Sequence, residues 1–371
     1  MKKVLVTGGA GFIGSFLVDE LVKQGYKVRI LDNLDPQVHI GGKKPSYLNR
    51  EAEFILGDMR DIGAVHEAIK GVEIVCHLAG AVGVGQSQYE IARYVSANTQ
   101  GTANLMDIIV NKRNKVEKIL VAASMSSYGE GVYECKTHGK VRPPLRTEEQ
   151  MKAGDWELHC PICGEYIKPV PTAEDAQCNL NSIYAFTKKS QEDICLLVGK
   201  LYRIPTVSVR FFNVYGPRQS LSNPYTGVAA IFMSRIKNGK PPVVYEDGNQ
   251  TRDFISIHDV VRANIMAIEN PKADYKAFNV GTGVPLKIAD VARVIARVYG
   301  SEIEPEITGK YRKGDVRHCY ADISFIKRTL GFTPEVSFEA GMKELIEWAQ
   351  GAESIDLFDK ARKELEEKGI A

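Results

Sequence analysis

No apolar run in this 371-residue chain approaches the roughly 18 residues that a membrane-spanning helix needs. Neither charge sign prevails, with 48 Lys and Arg against 46 Asp and Glu and a net charge of +2. Nothing global therefore invites nucleic acid, a membrane surface or a polyanion. A strand-like run, Lys3-Val4-Leu5-Val6, begins almost at Met1, which leaves no room for a signal peptide and predicts a cytoplasmic protein. Repeats and low-complexity tracts are missing as well. Cysteine is sparse, seven in all, and uneven: Cys135, Cys160, Cys163 and Cys178 crowd one segment, while Cys76, Cys195 and Cys319 are scattered. In a cytoplasmic chain that grouping favours metal over disulfides.

What is present is alternation. Strands are expected at Lys3–Thr7, Lys27–Asp32, Glu53–Gly57, Ile74–Ala79, Lys118–Ala123 and Thr206–Phe211, with amphipathic stretches such as Phe12–Lys23 and Val95–Val110 between them. This βαβ rhythm predicts an α/β fold with a doubly wound parallel sheet over residues 1–212. Beyond it the sequence breaks into turn-rich pieces, "NVYGPRQSLSNPYTG" and "NGKPPVVYEDGNQTRDF", followed by helical patterns at Val260–Ile268 and Ile288–Tyr299. Residues 213–350 read as a smaller substrate-binding part, some of whose segments return to the sheet. Residues 351–371 read as a solvated helical tail. Residues 130–181 interrupt the first part with Gly, Pro, Cys and charge, and a loop of that length needs something to organise it.

The turn Gly8-Gly9-Ala10-Gly11-Phe12-Ile13-Gly14 sits where the first strand must become the first helix. Glycines there let a pyrophosphate reach backbone amides, and the helix N-terminus favours its charge. Asp32, closing the second strand, is placed to accept hydrogen bonds from a ribose diol and would repel a 2′-phosphate, so NAD is expected over NADP. Tyr184 and Lys188 stand four apart, on one helical face. A cation there is expected to lower the phenol's pKa and make it usable as a base. Ser124 closes the fifth strand at the ligand-binding edge, where its hydroxyl can bridge the phenol and a substrate oxygen.

Cys135-Lys136-Thr137-His138 and Cys160-Pro161-Ile162-Cys163 form two knuckle-like pairs, followed by Gly139 and Gly164. Their spacing suits a closed tetrahedral zinc site, with Cys178 or His159 as substitutes for one ligand, and free thiols or a redox pair as the other readings. Four protein ligands would leave no open position for catalysis, so the zinc is expected to be structural. The surroundings, "EEQMKAGDWEL" and "EYIKPVPTAEDA", are as acidic as basic and lack the basic stripe of a nucleic-acid finger.

From Met1 to about Gln350 the chain resembles the extended short-chain dehydrogenase/reductases of the nucleotide-sugar epimerase and dehydratase group. The segments that carry the resemblance include "TGGAGFIGS", "LDNL", "GDMRD", "HLAG", "NTQGT", "SMSSYGEG", "YAFTK", "RFFNVYGPRQ", "RDFISIHDV" and "NVGTG". The resemblance implies a Rossmann fold and a cofactor site of Gly8, Gly11, Phe12, Ile13, Gly14, Asp32, Asn33, Asp58, Met59, Leu78, Ala79, Asn98, Tyr184 and Lys188. It implies Ser124, Tyr184 and Lys188 as the catalytic triad, and Ser124, Ser126, Asn213, Arg252, Arg312 and Cys319 at the sugar nucleotide. It also implies a homodimer joined through helices such as Val95–Val110 and Tyr184–Leu201. The 4,6-dehydratases of the group carry an Asp-Glu pair after the strand-end Ser or Thr; here Met125 and Ser126 follow, which argues against dehydration. Epimerisation at C4 needs only what is present: removal of the 4-hydroxyl proton by Tyr184, hydride transfer to NAD, rotation of the keto sugar and hydride return. Segments such as "AVGVGQSQYEIARY", "NPYTGVAAIF" and "PEITGKYRKGDVRHCYADIS" are similar to the dTDP-L-rhamnose 4-epimerase family, with UDP-glucose or UDP-N-acetylglucosamine as the alternative substrates. A dehydratase or reductase, or an NAD-binding scaffold without activity, is the remoter expectation.

Overall fold

The structure is a computed structural model and describes residues 1–370. Seven strands, β1 (Lys3–Thr7), β2 (Lys27–Asp32), β3 (Glu53–Leu56), β4 (Ile74–His77), β5 (Lys118–Ser124), β6 (Thr206–Phe211) and β7 (Ala277–Val280), form one sheet in the order β7-β6-β5-β4-β1-β2-β3. Every pairing is parallel. The strands are largely apolar because both faces are covered: Val4, Val6, Ile30 and Leu120 enter one core, and Leu5, Leu31, Val75 and Val121 the other. The chain winds from β1 toward β3 on one side and from β4 toward β7 on the other. A crevice therefore opens at the carboxyl ends of β1 and β4.

The expected strands differ from the observed ones only at the ends Leu56, His77 and Ser124. Helix Phe12–Lys23 forms as expected and buries Gly14, Leu17, Val18 and Leu21, a three-and-four spacing. The stretch Val95–Val110 is not one regular helix. Val95–Gln100 adopts a wider π-type turn, and a regular helix runs from Gly101 to Asn111. Position 212 is also not a clean border. Helix Ile257–Glu269, strand β7 and helix Ser324–Leu330 return to the first core through Val260, Ile265, Phe278 and Ile326. The second core joins helices Val228–Lys237, Ile288–Tyr299 and Phe338–Gly351 through Phe232, Met233, Val291, Ile295, Met342 and Leu345.

The segment 130–181 is organised by a small antiparallel sheet in which Val132–Cys135 pairs with Gly139–Val141 on one side and Lys168–Val170 on the other. Its own core is small: Tyr133, Cys135, Val141, Leu158, Cys160 and Ile167. The tail departs from expectation. Helix Phe358–Glu367 is not merely solvated; it buries Ala361 and Leu365 against the crevice and leaves Lys360, Lys363, Glu366 and Glu367 exposed. Among the described residues no helix is long and apolar enough to cross a membrane.

Candidate active site

A cavity of about 650 Å³ occupies the crevice. Its first end is lined by Gly8, Gly11, Phe12, Ile13, Gly14, Asp32, Asn33, Asp58, Met59, Leu78 and Ala79, the residues expected at a dinucleotide. The glycine turn has no room for side chains: Gly8 has φ +69, and a Cβ on Gly14 would lie 2.2 Å from the Gly8 carbonyl oxygen. Gly11 caps the following helix without a side chain, so the first N–H groups face the cavity. This cradle fits a pyrophosphate. Asp32 is fixed by two backbone donors, Ala10 N at 3.0 Å to Oδ2 and Leu34 N at 2.9 Å to Oδ1, which hold its carboxylate at the cavity wall. Asp58 accepts from the Arg60 guanidinium and from Asn33 Nδ2, and Arg60 above all holds its carboxyl well below the usual range.

Ser124, Tyr184 and Lys188 line the same cavity. The helix Ile183–Tyr202 starts on Ser182, whose Oγ accepts from Ala185 N at 3.1 Å, so Tyr184 is held in the first turn. Tyr184 N also donates to Ser87 Oγ at 3.0 Å. Ser126 Oγ lies 2.9 Å from Ser124 Oγ. The expected lowering of the phenol's pKa by Lys188 is not what governs it in this geometry. Burial raises Tyr184 above its ordinary value, and a hydrogen bond with Ser124 pulls the other way. Burial likewise pushes the Lys188 ammonium down to about 8, against the opposing influence of Cys195 and Glu192. Lys188 Nζ donates to Gln191 Oε1 at 2.7 Å, and Gln191 in turn donates to Thr102 Oγ1 at 3.0 Å, a buried polar support behind the site.

The other end of the cavity holds Ser126, Asn213, Arg252 and Arg312. Asn213 Oδ1 is buried with no hydrogen-bond partner among the described residues, an acceptor that a ligand donor would satisfy. Arg252 donates to the carbonyls of Thr251 (2.8 Å), Arg317 (3.0 Å) and Val316. Arg312 Nε donates to Asp315 Oδ2 at 2.8 Å, with its guanidinium 4.9 Å from the centre of the Tyr245 ring.

Two expected residues lie behind the wall rather than in it. Asn98 is fully buried; its amide oxygen accepts from Ala81 N at 2.6 Å and its nitrogen donates to Thr187 Oγ1 at 2.9 Å. It props the Ala79–Ala81 segment instead of lining the cavity. Cys319 pairs in register with Arg252 and packs among Tyr128, Val132 and Phe212, a buried thiol that burial pushes up to about 12. Conversely Tyr245, Phe358, Arg362 and Leu365 line the cavity without having been expected there. The tail did carry a signal, since Phe358, Ala361 and Leu365 form a three-and-four apolar stripe.

Away from the cavity, Cys135, His138, Cys160 and Cys163 bring one ligand atom each within 4.8 Å of one another. The separations are 3.7 Å between the sulfurs of Cys135 and Cys163, 3.5 Å from Cys135 to His138 Nδ1 and 3.6 Å from Cys160 to His138 Nδ1. A tetrahedron with bonds of about 2.3 Å has edges of about 3.8 Å, whereas a disulfide needs about 2.05 Å. The backbone N–H groups of His138 and Thr137 hold the Cys135 thiol below its ordinary value. The substitutes fall away on geometry. His159 uses both ring nitrogens on Gly164 O (2.9 Å) and Asp155 Oδ2 (2.7 Å), and Cys178 lies outside the cluster.

Comparison with known proteins agrees with this arrangement. The family model described as "NAD dependent epimerase/dehydratase family" matches residues 4–150 and 160–281. A dTDP-L-rhamnose 4-epimerase of Burkholderia thailandensis is 37% identical over 94% of this chain and 94% of its own length. A putative UDP-glucose 4-epimerase of Methanocaldococcus jannaschii is 32% identical over 93% and 97%. Among solved structures, a UDP-glucose 4-epimerase of Thermotoga maritima with UDP-glucose superposes with a TM-score of 0.76 at 31% identity, covering 94% of this chain and 98% of that one. With the glycine cradle, the strand-end serine and the Tyr184–Lys188 pair in one crevice, the chain belongs to the NAD dependent epimerase/dehydratase family.

Proposed function

We propose that this protein is an NAD-dependent nucleotide-sugar 4-epimerase with dTDP-L-rhamnose and dTDP-6-deoxy-L-talose as its substrate pair. The observation that carries the reading is that Ser124, Tyr184 and Lys188 line the same cavity as the glycine cradle and the arginines Arg252 and Arg312. NAD, when bound, supplies reversible uptake of the hydrogen at sugar C4. Tyr184 takes the proton of the 4-hydroxyl and returns it, Ser124 hydrogen-bonds the phenol, drawing its pKa down against burial, and the sugar oxygen, and Lys188 stands one turn along the same helix. Arg252 and Arg312 hold the diphosphate, which leaves the hexose free to present either face. Met125 and Ser126, which follow Ser124, offer no carboxyl for the acid–base work of a dehydratase. The similarity to a UDP-glucose 4-epimerase supports UDP-glucose or UDP-N-acetylglucosamine as the second reading. Incubation with dTDP- and UDP-sugars without added reductant, followed by NMR, should show inversion at C4 for the dTDP-6-deoxy pair. Inversion of UDP-sugars alone would establish the second reading, and no inversion in any sugar would reject both.

The Cys135, His138, Cys160 and Cys163 cluster is read as a structural zinc site that stabilises segment 130–181, which has little apolar core of its own. Purified protein should hold about one zinc per chain, and chelation should expose this segment to protease while NAD stays bound. Metal-free protein with an equally resistant segment would count against it. Helix Ile183–Tyr202 leaves Phe186, Leu197, Leu201 and Tyr202 exposed, which supports a homodimer joined along that helix. A monomer mass in light scattering would contradict the dimer.

A further inference from the structure

The tail after Gly351 lies outside the family-matched residues, yet it helps to build the cavity. It is tied down at both ends. At its start Ile355 N donates to Ser222 Oγ at 2.9 Å, Asp356 accepts from Lys240 Nζ at 2.9 Å, and the Phe358 ring lies 4.9 Å under the Arg235 guanidinium. At its end Lys313 N donates to Ile370 O at 3.0 Å. In between, Glu364 Oε2 accepts from Tyr225 at 2.7 Å and from Tyr89 at 3.2 Å, and the two phenols lie 2.7 Å apart. Tyr89 follows the cavity-lining segment Gly83–Gly85, and Tyr225 packs against Gly83, so one carboxylate ties the tail to both. Leu365 fills the space above Gly85, where a Cβ would come within 3.3 Å of it.

This anchoring turns Arg362 toward the cavity. It lies near Tyr245 and lines the same cavity as Arg312, and its carboxylate contact among the described residues is Asp359, one turn back at 3.5 Å. Three guanidiniums, from Arg252, Arg312 and Arg362, thus line the cavity, as does Lys313, whose ammonium lies 3.3 Å from Glu148. Arg312 engages Asp315, and Arg252 engages only carbonyl groups. Guanidiniums gathered in a concave site suit a dianion.

We propose that the C-terminal helix completes the substrate site and that Arg362 is a third guanidinium, beside Arg252 and Arg312, that binds the diphosphate of the nucleotide sugar. The proposal rests on the nucleotide-sugar reading above. The test is titration calorimetry of the NAD-loaded protein with dTDP, UDP and the matching nucleosides. Wild type should bind at least one diphosphate, and Arg362→Ala should weaken it by about tenfold or more, the effect of losing a charged hydrogen bond. Nucleoside binding and NAD content should stay unchanged, and Arg362→Lys should recover part of the loss. A chain ending at Glu353 should lose more diphosphate affinity than Arg362→Ala, because the whole wall goes with the charge. Equal diphosphate affinity in wild type and Arg362→Ala would overturn the proposal and leave the substrate reading standing. An equal loss for nucleoside and diphosphate would place Arg362 on the base and overturn the diphosphate assignment. Failure of the wild type to bind either diphosphate would overturn the substrate reading and this inference together.

Discussion

The nucleotide-binding layer and the inserted segment 130–181 are held together by different physics. In the first, strands buried on both faces and helices with one apolar face form two continuous cores. In the second, six buried residues form the core, and two of those, Cys135 and Cys160, belong to the Cys/His cluster. Charge does the rest. Arg317, with 0% of its side chain exposed, donates to Glu246 Oε2 at 2.8 Å and to Asp247 and Glu157, while its backbone N–H donates to Glu130 at 2.9 Å. Arg146 reaches the other oxygen of Glu246 at 2.8 Å. The insertion is thereby fastened to the strand His318–Cys319, which pairs beside Arg252. The contrast teaches that a segment too polar to fold by burial can still be rigid, provided each buried charge has partners.

Four experiments would break or sharpen that contrast. The largest effect belongs to the nucleotide layer: Tyr184→Phe should lower turnover about a thousandfold or more, as loss of an acid–base group does, with NAD content and melting unchanged. Normal turnover would show that the phenol is not the base. Next comes the charge cluster, where Arg317→Met should cost about 3–5 kcal/mol in denaturant unfolding, since Glu246 and Glu157 lose a buried partner. A change within error would mean that the insertion does not depend on its ions. Asp32→Ala should weaken NAD binding by roughly 10- to 100-fold, the worth of hydrogen bonds to a charged group, without touching the insertion. Retained affinity would place the ribose elsewhere.

The smallest effect concerns acid. A hydrogen bond with His318, then one with Arg317, holds Glu157 down at about 2 against an ordinary 4.5, with burial opposing. Because its folded pKa is depressed, its stabilising contribution is present above about 4.5 and fades as pH falls toward 2. Melting curves of wild type and Glu157→Gln should therefore differ at pH 6 and converge in acid. Parallel curves over the whole range would remove Glu157 from the network's pH response.

The two regions were also unequally legible. Val/Ile/Leu runs at βα spacing gave β1 to β6 nearly residue by residue, and the turn Gly8–Gly14 gave the cradle. Strand β7 escaped notice because "AFNV" is short and lies beyond the turn-rich region, where nothing local says that it returns to the first sheet. Asn98 and Cys319, expected at the cofactor and the sugar nucleotide, are buried outside the cavity lining. Position along a motif identifies which wall a residue belongs to, whereas the depth of a side chain depends on what packs in front of it.

By itself the sequence determined the alternation of elements, the glycine cradle, the carboxylate at Asp32, the Tyr184–Lys188 spacing and the two cysteine knuckles. Each is a local matter of period, backbone freedom or ligand spacing. Only the tertiary structure decided that the four knuckle residues converge while His159 turns away, that Asn213 keeps an unpartnered acceptor, and that the tail folds back across the crevice. Those outcomes depend on contacts between residues far apart in the chain, such as Glu364 with Tyr89 and Tyr225, and no local pattern encodes which distant partners will meet.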